Sequence, residues 1–124
     1  MNQLRTLKHA NLAMGALATL GALFGLLFVV AGIFGDVEGP GGGAVFVING
    51  LIAMAVFGAL AVVHVYAGFM VTAGRSRYLQ TALATMHLAT FPIGTVYAVY
   101  ALWVCWMNPA TTSIFDRPAG RRVL

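Results

Sequence analysis

Charge is what this sequence has least of. Seven Lys and Arg and three Asp and Glu make 8% of 124 residues, where soluble domains carry about a quarter. The charges are also confined to four short places: Arg5 and Lys8; Asp36 and Glu38; Arg75 and Arg77; Asp116, Arg117, Arg121 and Arg122. A soluble domain this poor in charge would lack the polar surface to cover itself. Proton-coupled carriers and cation channels usually need an ionisable carboxylate or base inside a span, so autonomous transport is not expected. Cysteine occurs once, as Cys105 inside an apolar stretch. No disulfide framework is possible, and no redox compartment follows. The loops are too short to build an active site in water, and no Ser/His/Asp set or metal cluster lies outside the apolar stretches. An enzyme acting by itself is not expected.

What is present is hydrophobic: 60% of the residues are apolar or aromatic, and the mean hydropathy is +0.90. The charges divide the chain into apolar intervals Ala10–Gly35, Gly43–Gly74 and Tyr78–Met107. Each exceeds the roughly 20 residues that cross a hydrocarbon core as a helix. The first is longer than a signal-peptide core and is read as a retained helix. The expected fold is therefore an all-α integral membrane bundle forming one transmembrane domain.

Basic residues in short loops mark the cytoplasmic side. Arg5 and Lys8, and then Arg75 and Arg77, fall inside, while the acidic loop with Asp36 and Glu38 falls outside. Arg117, Arg121 and Arg122 put the tail inside too, so Tyr78–Met107 should cross twice, broken at Phe91-Pro92-Ile93-Gly94-Thr95, where Pro and Gly favour a break. The rival reading is one long helix kinked at Pro92, with the tail outside. The spacing predicts four helices at about 10–35, 44–73, 77–91 and 93–107, a cytoplasmic tail over 108–124, and both termini cytoplasmic. Helices of about 15 residues are short for a core of roughly 30 Å and imply local thinning or a shallow hairpin.

The stretch Phe91-Pro92-Ile93-Gly94-Thr95, then Tyr100, Leu102-Trp103-Val104, Asn108-Pro109 and Phe115, resembles a family of small bacterial inner-membrane proteins of unassigned activity that carry an FPIGT…Y.LWVL…NP pattern. The likeness spans roughly residues 74–116; Ala98 stands where the pattern has glycine. It implies four transmembrane helices with a basic turn before the third, and a bacterial inner-membrane location. It implies no activity.

Two histidines are the leading candidate site. His64 lies ten residues before Gly74 and His87 ten residues after Arg77, so antiparallel helices set both at one depth, roughly 15 Å from the turn. Facing imidazoles could ligate haem b, or one could bind a metal or quinone. His64-x-x-x-Gly68 would suit a flat ring lying against glycine. Small haem-binding anchor subunits have a similar size, but their longer motifs are absent. The plainer alternative is that each histidine hydrogen-bonds a neighbouring helix, with no cofactor. His9 is expected at the interface.

Other features have structural readings. Gly21-x-x-x-Gly25 and, more weakly, Ala55-x-x-x-Ala59 are close-approach patterns for internal packing or dimerisation. Gly39-Pro40-Gly41-Gly42-Gly43 has no Lys-Ser/Thr after it and is read as a flexible external connection. The methionines are core filling. Tyr78, Tyr97, Tyr100, Trp103 and Trp106 are read as an interfacial belt. Arg75, Arg77, Arg117, Arg121 and Arg122 would face anionic lipid, and the net charge of +4 reports orientation rather than nucleic acid. The expected function is binding: an accessory or scaffold subunit of a membrane complex, or a homo-oligomer. A haem-b or quinone anchor is the alternative.

Overall fold

A computed structural model describes residues 2–36, 38–39 and 41–117; Arg121 and Arg122 lie outside the described residues. The chain is all-helical: α1 (Asn2–Phe34), α2 (Gly42–Thr72), α3 (Arg77–His87), α4 (Ile93–Leu102) running into a π-helical turn (Trp103–Met107), and α5 (Pro109–Phe115). With 33 and 31 residues, α1 and α2 reach about 50 and 46 Å. Both are long and apolar enough to cross a membrane, and only 6% of the most apolar window of each is buried. A core helix of a soluble protein would be mostly buried.

The chain divides into two compact units, one of Met1–Ala13 with His64–Leu124 and one of Met14–Val63. The second unit is a helical hairpin made possible by glycine. A Cβ built on Gly25 would stand 2.7 Å from the carbonyl oxygen of Gly50, and one on Gly50 would stand 2.5 Å from that of Gly25. Gly32 and Gly43 meet in the same reciprocal way, and the Gly21 face is covered by the Phe57 ring. Only residues without a side chain let two backbones approach so closely. Phe28 and Phe46 stack beside this seam at 5.2 Å between ring centres. Gly21 and Gly25 thus serve internal packing, but Ala55 and Ala59 do not. Both alanines are exposed, on the face of α2 turned away from the seam, and the partners of the α1 glycines are Gly43, Gly50 and Phe57.

In the first unit, α2 ends on Gly74, whose φ of 66° is left-handed. The Gly74 N–H donates to Val71 O at 3.1 Å and the Arg75 N–H to Met70 O at 3.1 Å, the double bond of a Schellman ending. A side chain at Gly74 would also strike Ile114, 2.8 Å from its Cγ2. The segment expected as one helix over 77–91 stops at His87. There Thr90 Oγ1 donates to His87 O at 2.8 Å and Thr95 Oγ1 to Leu88 O at 3.0 Å, so hydroxyls satisfy the carbonyls that a further helical turn would have used. Residues 78–107 are therefore two short helices packed on each other, not one kinked helix.

Two further departures have local causes. Within the segment expected as a tail, Pro109–Phe115 form a short helix. Asn108 Oδ1 accepts from the Ala110 N–H at 3.0 Å and Pro109 takes the first helical position, a capped start for α5. The glycine run is not wholly a loop either, since Gly42 and Gly43 already belong to α2.

Candidate functional site

In the first unit each of α1 to α4 buries one stripe at helical spacing: Leu4, Leu7 and Asn11 on α1; His64, Ala67 and Val71 on α2; Gln80, Leu83 and Ala84 on α3; Tyr97, Ala98 and Ala101 on α4. The stripes are apolar except at one level, where Asn11, His64 and Gln80 are fully buried and Tyr97 is 5% exposed.

Asn11 is the hub. Its amide nitrogen donates to Leu7 O at 2.9 Å and to Gln80 Oε1 at 3.0 Å. Its Oδ1 lies 3.2 Å from His64 Nδ1 and accepts from the Tyr97 hydroxyl at 3.0 Å. The Tyr97 hydroxyl also lies 3.4 Å from Gln80 Oε1, and Gln80 Nε2 donates to Ala67 O at 3.1 Å. Four helices are thereby tied through one amide, and both protons and both lone pairs of that amide are used.

This network settles the histidine protons. A carbonyl oxygen only accepts, so His64 Nδ1 must donate to Asn11 Oδ1. By the same reasoning His87 Nδ1 donates to Leu83 O at 2.8 Å. Each neutral ring then carries its proton on Nδ1 and a bare lone pair on Nε2. His64 Nε2 is buried with no hydrogen-bond partner.

The structure brings His64 and His87 together. Their ring centres are 4.9 Å apart with planes at 74°, and the Tyr97 ring lies 5.5 Å from each. His64 is wholly buried, whereas His87, the last residue of α3, is half-buried. Haem b held between the two rings does not match this arrangement. Two imidazoles on one iron, with metal–nitrogen bonds of about 2.0 Å, have ring centres about 6 Å apart and a porphyrin between them. Among the described residues no three His, Cys, Asp or Glu side chains gather as a metal site. The backbone of Gly68 faces Asn11 and Lys8, its built Cβ falling 3.2 Å from Asn11 Cβ, so this glycine serves helix packing.

The other expected positions fall elsewhere. Arg77 is only 18% exposed at its side chain. It pairs with Asp116 at 2.8 Å and stacks 3.8 Å over the Trp106 ring, so it is committed within the protein. Arg75 and His9 are exposed. Arg117 is exposed and has an interaction within the fold. Tyr97 is no belt residue but part of the buried cluster. Trp106 instead donates its indole N–H to Thr81 Oγ1 at 2.8 Å. Reading for titratable groups missed Gln80 and gave Asn11 no role. The available signal was that amides are costly in an apolar helix unless paired.

Searches against family models, curated proteins and solved structures returned no match for this chain.

Proposed function

We propose that this chain is a multi-pass protein of the bacterial inner membrane that acts by binding, as an accessory or scaffold subunit of a membrane complex or as an assembly of its own copies. The observation that carries this reading is the distribution of polarity. The polar side chains Asn11, His64, Gln80 and Tyr97 of the first unit are turned inward and bonded to one another, while large apolar residues are turned outward, among them Phe24 at 65%, Val62 at 69% and Val96 at 70% exposed. Such a surface suits lipid and other membrane helices.

In this reading α1 and α2 are full spans. α3 and α4 with its π turn go out and return as a shallow third and fourth crossing, and both chain ends are cytoplasmic. The Arg77–Asp116 pair supports it, because it ties the segment after residue 107 to the basic turn at 75–77. The resemblance around Phe91–Phe115 points the same way.

Gentle detergent extraction followed by identification of co-purifying chains and cofactors tests the function. A stoichiometric membrane partner or a discrete homo-oligomer is expected; a lone monomer in several mild detergents overturns it. The alternative, a haem-b or quinone anchor using His64 and His87, requires the rings to part by about 1 Å for haem. A Soret band lost in His64→Ala and His87→Ala would establish the haem form.

A further inference from the structure

We propose that α2 pairs side by side with α2 of a second copy of this chain, along a stripe on which the Asn49 amides of the two copies bond each other. The proposal rests on the membrane reading above and names, within it, the partner and the contact.

Asn49 is exposed on α2, about 10 Å in from the helix start at Gly42. The surface around it is apolar: Val45, Ile48 and Ile52 are each more than half exposed. One amide proton stays on its own helix, Nδ2 donating to Val45 O at 2.9 Å. Among the described residues nothing bonds Oδ1 or the second amide proton. Asn11 and Gln80, by contrast, are buried and bonded to each other across helices. In lipid an amide with a donor and an acceptor unfilled is costly, and a hydrogen bond to another helix relieves it.

The residues in line with Asn49 recur at alternating steps of four and three: Val45, Asn49, Ile52, Val56, Ala59 and Val63. They fall within an arc of about 80° on α2, centred roughly 150° round the helix from Gly43 and Gly50, so this stripe and the glycine seam with α1 do not compete. β-Branched residues at that spacing, with one asparagine among them, make the seam of a parallel helix pair whose register the amide fixes. Hydrogen bonding selects the second copy as the occupant. An amide left with one donor and one acceptor is matched by the same amide, with one bond in each direction. Copies inserted with the same topology run parallel, so a two-fold axis along the membrane normal sets both Asn49 side chains at one depth with no further condition. A helix of another sequence must supply a donor and an acceptor at that depth, and an acyl chain supplies neither.

The test is cysteine cross-linking of the full chain in membranes, in a Cys105→Ser background, together with sedimentation equilibrium in micelles. Oxidation should give a disulfide-linked dimer in Ile52→Cys and Val56→Cys but little in Leu51→Cys and Val62→Cys, which are as exposed but lie on another side of α2. Asn49→Val should weaken dimerisation roughly tenfold, two interhelical bonds being lost. Asn49→Gln keeps the donor and the acceptor and should dimerise nearly as well as wild type. Equal cross-linking at all four positions, or an Asn49→Val dimer as tight as wild type, overturns the proposal. A chain that stays in carbonate-washed membranes and co-purifies with a different protein, yet does not cross-link to itself, also overturns it and leaves the binding reading standing. A chain that carbonate strips from the membrane overturns both. Should Asn49→Val fail to fold, the cross-linking pattern decides alone.

Discussion

Tyr97 and Asn11, 86 positions apart in the chain, are joined by a 3.0 Å hydrogen bond from the tyrosine hydroxyl to Asn11 Oδ1. The bond brings the first helix and α4 to one level, where His64 and Gln80 meet the same amide. An amide with partners on three other helices acts as a common fastening for the first unit.

The partners of Asn11 are unequal in what their loss should do. Asn11→Ala removes bonds to three helices at about 0.6 kcal/mol each, about 2 kcal/mol together. Tyr97→Phe should cost only about 0.6 kcal/mol, since Asn11 Oδ1 keeps the His64 bond. The double variant should cost less than the sum, because both changes delete the same bond. Unfolding titrations in mixed micelles measure all three.

The glycine seam predicts a sharp positional contrast. Gly25→Val drives a side chain into the Gly50 carbonyl and should destabilise the hairpin by about 2 kcal/mol or more. At Gly58 a new Cβ meets nothing within 4 Å, so Gly58→Ala should leave stability unchanged or slightly raised, alanine being the better helix former. Thermal unfolding of the two purified variants gives the comparison.

Arg77 should matter through its stacking more than through its ion pair. Asp116 is 64% exposed at its side chain, so Asp116→Asn should cost under about 0.5 kcal/mol and respond to salt. Arg77→Lys keeps the charge but loses the planar stack on Trp106, a loss of about 1 kcal/mol. If the asparagine variant proves the weaker of the two, the ion pair dominates instead.

The packing of Ile114 on Gly74 and the Arg77–Asp116 pair predict one-sided labelling. In a Cys105→Ser background, Arg75→Cys and Ser113→Cys should both react with an impermeant thiol reagent only from the cytoplasmic side. Labelling of the two positions from opposite faces would break the four-crossing topology.

The cap of α5 gives a smaller, local expectation. Asn108→Ala removes the side-chain acceptor for the Ala110 N–H and should cost about 1 kcal/mol, read as faster proteolysis beyond residue 108. Asn108→Asp should retain most of the stability, as it keeps the acceptor.

The one-dimensional pattern of this chain determined its helical character, its two long apolar helices and the interruption near Pro92. Each of these follows from local composition: apolar runs of spanning length, charges confined to the ends, and a proline that cannot continue a helix. The equal depth of His64 and His87 was also legible, because a helix advances by a fixed rise and each histidine lies ten positions from the turn. Where α3 stops was not, since Thr90 and Thr95 end it through hydroxyl bonds that propensity does not foresee. Only tertiary structure decided that Gly43 and Gly50, and not Ala55 and Ala59, complete the glycine seam, because helix rotation is set by the whole interface rather than by one motif. Tertiary structure likewise assigned Tyr97 to the interior and Asn11 to the hub. A buried amide can accept two donors and donate two protons only when separate helices deliver the partners, and that meeting is a property of the packed fold.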